Sequence, residues 1–350
     1  MVWGNTTLAP RHMRIAQVGP VATSIPPVRS SSVELMTSLL TEGLAGRGHQ
    51  VTLFATGTSQ TQAALHATFP RGYAEDTSMW PWEAYELFNL AAAVERGGEF
   101  DVIHCQAMYW PMALPFSRLS KTPLVQTLHH APSPTEVALW SRYPEVPFIA
   151  ISEEQKRLLA GLNVVGVVPH AIDTGRFAYR AVPDDYLVFL GRFTEGKGVL
   201  QAIDIARRVG MRLLIAAPEN EYYRQVVAAQ VDGERVVYAG EVDHAGKVAL
   251  LGGARAMLYP VQAGEPFGLV LAEAMACGTA VAALDRGAVR EIVDAGVTGG
   301  VFETVDALVA GLPRVLALDR ATIRQRAVER FGIDRMVDDY LAVYRRVIGR

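Results

Sequence analysis

Short apolar runs alternate with helical stretches twice along this chain, and that alternation restricts the fold more than any other feature. Arg14-Ile-Ala-Gln-Val-Gly-Pro reads as a buried strand that stops at Gly19-Pro20. A loop from Val21 to Ser31 follows, with prolines at 26 and 27. Ser32 to Arg47 then places Val33, Leu35, Met36, Leu39, Leu40 and Leu44 at helical spacing, and Gly48-His49 ends it. Val51-Thr-Leu-Phe-Ala is the next strand. This order implies a parallel sheet. Ligands of such sheets gather at the carboxyl ends of the strands, so the loop after Gly19 is a candidate site. No G-x-G-x-x-G follows the strand, which speaks against a dinucleotide-binding dehydrogenase.

The pattern continues through Asp101-Val-Ile-His-Cys, Pro123-Leu-Val-Gln-Thr-Leu-His and Phe148-Ile-Ala-Ile-Ser, where Ser152 is placed to cap a helix beginning Glu153-Glu154. Val164-Val-Gly-Val-Val-Pro closes the first half. A second alternation starts at Tyr186-Leu-Val-Phe-Leu-Gly and includes a helix through Arg208. It continues with strands at Arg212-Leu-Leu-Ile-Ala-Ala, Val236-Val-Tyr-Ala-Gly, Ala256-Met-Leu-Tyr-Pro and Ala280-Val-Ala-Ala-Leu. A length of 350 residues suits two domains. The expected division is a loose tail at 1–12, a first α/β domain at 13–170, a connector at 171–185 and a second α/β domain at 186–334, with a crevice between the two.

Charge and cysteine content narrow the function. With 33 basic and 36 acidic residues the net charge is −3, and neither half has a basic excess. Nucleic acid or an anionic membrane is therefore not expected as the main partner. No apolar run approaches the roughly 18 residues of a membrane span, and the first twelve residues lack the apolar core of a secretory signal. Cys105 and Cys277 each lie inside an apolar element, so neither a disulfide scaffold nor a zinc site is expected, and a reducing cytoplasm is the default location.

Two stretches of the second half carry the chemistry. In Gly264-Glu-Pro-Phe-Gly-Leu-Val-Leu-Ala-Glu-Ala-Met-Ala-Cys-Gly278, Glu265 and Glu273 bracket a helix that starts near Gly268 and stops at Gly278. Gly268 lets a ligand come close to the backbone, and the N–H groups of the first turn suit a phosphate. Glu273 lies about 7–8 Å further along the axis at 1.5 Å per residue, roughly the reach from a diphosphate to a ribose. A carboxylate in an apolar helix needs a partner, and ribose hydroxyls would supply one. The plainer alternative is a buried helix with one satisfied glutamate and a surface Glu265. In Gly191-Arg-Phe-Thr-Glu-Gly-Lys197, Arg192 and Lys197 sit in a glycine-bearing loop after a strand, able to hold a diphosphate without metal. Two solvated cations beside a helix start is the alternative.

With these residues assembled, the chain resembles the retaining glycosyltransferases of family 4, which have the GT-B fold of two Rossmann-like domains facing a central cleft. The resemblance runs through RIAQVGP, RGHQVTLFA, FIAISEEQ, GRFTEGKG and YPVQAGEPFGLVLAEAMACGTAVAA to the stretch from Phe331 to Ile348. It implies transfer from a nucleotide-diphosphate sugar, of UDP or GDP type, to a small-molecule or glycan acceptor, with no cofactor and no metal. It further implies that Glu273 holds the ribose, Glu265 the donor sugar, and Arg192 and Lys197 the diphosphate. Phe267, Gly268, Leu269 and Val270 would present backbone N–H groups, with Gly19 also on the donor side. His129 would face the donor sugar, although His130 is adjacent, and the helix at 335–350 would return to the first domain. In the family the departing phosphate takes the acceptor proton, so no protein base is required. A nucleotide-sugar epimerase of the same fold, or an inactive nucleotide-sugar-binding subunit, are the alternatives.

The chain departs from the family pattern in two places. His170-Ala-Ile-Asp stands where Asn-Gly-Ile-Asp is usual, and Ser30-Ser31-Ser32 replace a Tyr-Gly-Gly ahead of the first helix. The serines are expected to cap that helix. Either their hydroxyls reach the phosphate, or the loop stands back and leaves room for a bulkier acceptor, which Arg29 could meet if it carried an acid or phosphate group, or the site is impaired; the second is the favoured reading. Trp80, Trp82, Tyr109 and Trp110 lie where the first domain could stack an acceptor, with core or interface packing as the alternative use.

Overall fold

The computed structural model describes residues 12–28, 31–106 and 111–349. Residues 1–11 of the expected tail, together with Arg29, Ser30, Tyr109 and Trp110, lie outside them. The chain divides into two compact units: 1–150 with 159–166 and 337–350, and 151–158 with 167–336. The stretch 171–185, which composition marks as a connector, is packed into the second unit. Ile172 N–H donates to the Phe331 carbonyl at 2.8 Å, Phe177 is buried, and Arg324 bonds the carbonyls of Thr174 and Phe177.

The first unit holds a seven-stranded sheet: β1 (Arg14–Val18), β2 (Gln50–Thr56), β3 (Ala64–Phe69), β4 (Val102–Cys105), β5 (Leu124–Thr127), β6 (Phe148–Ala150) and β7 (Val164–Val167). Their order is β3-β2-β1-β4-β5-β6-β7, with parallel pairing. The helix Ser32–Gly46 buries Val33, Met36, Leu40 and Leu44 on one stripe and ends before Gly48, at φ +82°. Its N-terminus differs from the sequence expectation. Ser31 stands at the cap position with extended backbone, but its hydroxyl donates to the Glu34 carboxylate rather than capping a backbone N–H. Glu34 is buried and competes successfully for that hydroxyl.

The helix Ile333–Ile348 changes unit at residue 337, and its C-terminal part belongs to the first unit. There Tyr344 is buried, with Gln17 Nε2 donating to its hydroxyl at 2.8 Å and His104 Nδ1 sharing a hydrogen bond with that hydroxyl at 2.6 Å. His104 Nε2 reaches Thr127 Oγ1 at 2.7 Å. Burial pushes the His104 ring down to about 3, so it stays neutral and relays hydrogen bonds between helix and sheet.

The second unit has six parallel strands: β8 (Leu187–Leu190), β9 (Leu213–Ala216), β10 (Val236–Tyr238), β11 (Ala256–Tyr259), β12 (Ala280–Leu284) and β13 (Gly299–Phe302). The order β10-β9-β8-β11-β12-β13 places β8 and β11 side by side at the centre. The loops leaving these two strands carry Arg192, Lys197 and Glu265. The strands are apolar throughout because helices cover both faces; Val188, Met257, Leu258, Val281 and Ala282 have no exposed surface. Among the described residues no helix is long and apolar enough to cross a membrane.

Candidate functional site

Sequence forces the two central loops of the second unit together. After β8, Phe193 is buried and stacks on Tyr223 at 5.2 Å, which leaves Arg192 exposed beside it. A 3-10 turn over Glu195–Lys197 ends at Gly198, whose φ is +76°. A Cβ there would lie 2.0 Å from the Pro260 carbonyl oxygen, so only glycine lets this loop touch the one after β11. Gln262 N–H donates to the Gly196 carbonyl at 2.9 Å and laces the loops further.

That contact delivers Lys197 to Glu265. The lysine Nζ bonds Glu265 Oε2, and the Tyr259 hydroxyl donates to the same oxygen at 2.7 Å. Burial drives the Tyr259 phenol well above its ordinary value, with the Glu265 charge adding to the effect, so it acts as a fixed donor. The backbone of Glu265 is held from the other side. Ala288 N–H donates to its carbonyl at 2.8 Å, and Gly287, at φ +63°, packs so closely that a Cβ would sit 2.4 Å from Glu265 N. Both of these holds leave Glu265 Oε1 unengaged among the described residues.

The helix Leu269–Ala276 begins as the sequence expects. Gly268 is the cap residue at φ +90° and Gly278, at φ +83°, follows the last turn. The Phe267 side chain is not part of any open surface; it is buried against His170 (5.1 Å) and Phe331 (6.0 Å), which fixes the backbone entering the helix. Leu269 and Val270 are half-buried in the first turn, where backbone N–H groups have no partner within the helix. Glu273 is buried one turn on, and its partner is a residue that sequence reasoning missed. Lys247 Nζ lies 2.5 Å from Glu273 Oε1. Lys247 stands on the helix His244–Gly253, capped by Asp243, with its ammonium 5.5 Å from the Phe177 ring. Tyr259 was missed as well; the available signal was a hydroxyl at the carboxyl end of an otherwise apolar strand. For Lys247 the signal was the buried carboxylate itself, which needs a cation, hydrogen-bond donors or a proton.

The other site candidates belong to the first unit. Gly19 follows β1 with both backbone groups in use: its N–H donates to the Phe54 carbonyl at 3.1 Å and its carbonyl accepts from Asn89 Nδ2 at 3.0 Å. Ile25 occupies the space where a side chain would be, 2.3 Å from the position of a Cβ. His129 lies two residues beyond β5. Burial, with a smaller contribution from His130, pushes its imidazole down to about 3, so it is a neutral hydrogen-bonding group throughout the physiological range. His130 lies edge-on to Trp140 at 6.2 Å and 3.6 Å from the Glu136 carboxylate.

Comparisons with known proteins bear on the family and the fold. The family model for glycosyl transferases group 1 matches residues 174–330, and that for glycosyltransferase family 4 matches residues 33–176. The phosphatidyl-myo-inositol mannosyltransferase of Mycobacterium tuberculosis is 27% identical, with 96% of this chain and 98% of that protein covered. The D-inositol 3-phosphate glycosyltransferase of Mycobacterium bovis is 26% identical over 87% of this chain and 77% of its own length. Among solved structures, AviGT4, a glycosyltransferase involved in avilamycin A biosynthesis, superposes with a TM-score of 0.76 at 24% identity, covering 96% of this chain and 98% of that one. The sucrose-phosphate synthase of Thermosynechococcus elongatus gives a TM-score of 0.76 at 20% identity, covering 97% and 100%. HepE of Anabaena, solved in complex with UDP-glucose, gives 0.69 at 17%, covering 95% and 100%. Matched along both of its α/β units, the chain belongs to glycosyltransferase family 4 and has the GT-B fold.

Proposed function

We propose that the protein transfers a sugar with retention from a nucleotide-diphosphate sugar to an acceptor hydroxyl, without a metal ion. The observation that carries this reading is the pair of lysine-bound glutamates at one end of the second sheet. Lys197 and Tyr259 hold Glu265 by one oxygen, and Lys247 holds Glu273 by one oxygen. Each carboxylate keeps its second oxygen for a ligand hydroxyl, Glu273 for the ribose and Glu265 for the donor sugar. Arg192, exposed and without a partner among the described residues, offers a planar fork to the diphosphate. Lys197 is the second cation, and the N–H groups around Gly268, Leu269 and Val270 supply the helix terminus for the phosphates. The relatives point the same way: one is named a mannosyltransferase, and one structural neighbour was solved with UDP-glucose.

In the reaction the bond between the sugar carbon and the diphosphate oxygen breaks, and its electron pair leaves with the diphosphate. The acceptor oxygen bonds that carbon on the same face, and its proton passes to the departing phosphate. Negative charge grows on the leaving oxygens, where Arg192, Lys197 and the helix N-terminus act on it. A preorganised field of this kind is usually the largest catalytic term.

Titration calorimetry with UDP-glucose and GDP-mannose tests the assignment. Glu273→Gln is expected to weaken binding of the donor that binds by about 1.5–3 kcal/mol, the range for a hydrogen bond to a charged group. Unchanged affinity in a folded variant would remove Glu273 from the site. Turnover is expected to survive dialysis against EDTA; loss that Mg²⁺ or Mn²⁺ reverses would overturn the cation-only account of the leaving group.

A further inference from the structure

We propose that Arg324 is a positioning residue of the donor site, fixing Glu273 for a ribose through Phe177 and Lys247; this deepens the transferase reading given above and rests on it. Arg324 stands on the helix Arg320–Phe331 and meets the last turn of the helix that carries Glu273. Its guanidinium is half-buried and, among the described residues, bonds three backbone carbonyls and no carboxylate. Nη1 donates to the carbonyl of Phe177 at 2.5 Å and to that of Ala276, and Nη2 donates to the carbonyl of Thr174 at 2.8 Å. The negative end of the helix dipole at Ala276 offsets part of the cost of burying a cation without a counter-ion. The bonds join one helix end to both ends of the turn Thr174–Arg176, a task for a planar fork rather than a single ammonium.

The turn held in this way supports Lys247. Phe177 is buried, with its ring 5.5 Å from the Lys247 ammonium and edge-on to His244 at 5.1 Å. The Arg176 carbonyl meets His244 Nε2 at 3.0 Å. His244 and Lys247 are three residues apart, so they share one face of the helix His244–Gly253, and that face rests on the turn. Lys247 in turn bonds Glu273, which lies on the same helix as Ala276. The contacts close a ring that runs from Arg324 to the turn, to Lys247, to Glu273 and back along the helix to Arg324. All of its members belong to the second unit. Removing Arg324 opens the ring where the turn joins the helix of Glu273. A carboxylate that reads a ligand hydroxyl has to be held within about 0.5 Å by its supporting contacts. Arg192 and Lys197, the proposed diphosphate ligands, stand outside the ring. Arg324 therefore governs the preference for a ribonucleotide and not the hold on the phosphates.

Calorimetry on the full chain tests this by comparing UDP and GDP with their 2′,3′-dideoxy counterparts. The proteins are wild type, Arg324→Lys, Arg324→Met, Lys247→Met and the double variant of the two methionine changes. The wild type is expected to prefer the ribonucleotide by about tenfold or more, the effect of one hydrogen bond to a charged group. Each single variant is expected to lower ribonucleotide affinity by about fivefold or more and dideoxynucleotide affinity by less than about twofold, as for residues of one network. For the same reason the double variant should lose no more than the weaker-binding single variant. Equal losses for both kinds of nucleotide would reduce Arg324 to a support of the fold. Selectivity kept in the Arg324 variants, or additive losses in the double variant, would overturn the proposal as well. Should urea unfolding show that Arg324→Met does not fold, Phe177→Leu carries the same expectation, because it takes the ring from beside Lys247 and leaves the carbonyl bonds in place. A wild type that binds ribo- and dideoxynucleotides alike would strike the ribose reading of Glu273 and this proposal with it. Wild-type selectivity that persists in the variants strikes the role of Arg324 alone.

Discussion

Lys197→Ala is expected to lower kcat by about 10²–10³-fold with little change in KM, the cost usual for removing a preorganised group that meets charge growing in the transition state. The lysine faces two demands. In the ligand-free protein its ammonium is spent on Glu265, within a cluster whose other donor is the Tyr259 hydroxyl. In the proposed reaction the growing charge would lie on the departing diphosphate, so the lysine would contribute more there than in the ground state. Tyr259→Phe separates the roles. It removes one hydrogen bond to a charged carboxylate, worth about 1.5–3 kcal/mol, while the lysine stays, so a loss of roughly 10–150-fold in kcat/KM is expected. Turnover is to be followed by release of the nucleoside diphosphate. If Lys197→Ala raises KM and leaves kcat alone, the lysine serves ground-state binding of the donor and not the departure of the leaving group.

The parts of this protein that could be read from its sequence are those where local pattern and tertiary demand coincide. Both sheets were legible because their strands are nearly continuous apolar runs, and the helix after Gly268 because glycines mark both of its ends. Two strands were not. Ala64–Phe69 is an edge strand with no buried residue and carries no apolar run. Gly299–Phe302 starts with two glycines, which normally argue against a strand. Here a Cβ on Gly299 would lie 2.1 Å from the Val281 carbonyl oxygen, so close pairing selects the glycine. The lysines illustrate the same limit. Lys197 could be singled out because its loop has a recognisable glycine frame, whereas Lys247 sits on an ordinary helix and gains meaning only when folding sets it against Glu273. The exchange of partners by Ser31 was invisible for a related reason: nothing in the sequence says that Glu34 is buried next to it.

Glu34 has a neighbour of the same kind, and from the two follows a pH dependence of stability. Glu86 is buried beneath the loop after β1, accepting from Val21 N–H and the Tyr73 hydroxyl, both at 3.1 Å. Burial is the main reason its carboxyl is pushed up to about 7, and the charge of nearby Glu34 adds to it. Burial raises Glu34 as well. A carboxyl with a raised value in the folded state holds a proton that the unfolded chain has already released. The stabilisation is therefore complete below the ordinary carboxyl range and is lost as pH rises toward and through about 7. Buried His104 and His129, both pushed down to about 3, act oppositely and remove stability as pH falls below the ordinary histidine range. The wild-type profile mixes these slopes, so the informative quantity is the difference between wild type and Glu86→Gln. The glutamine keeps an oxygen for Val21 and Tyr73 and has no charge to desolvate. Relative to wild type it is expected to gain about 3 kcal/mol between pH 4.5 and 8, at about 1.4 kcal/mol for each tenfold change in proton affinity. Urea unfolding of the full chain, followed through the transition of the first unit at several pH values, measures this. Parallel stability curves for the two proteins would show that Glu86 is ionised in the folded state across this range, and that burial does not raise its carboxyl.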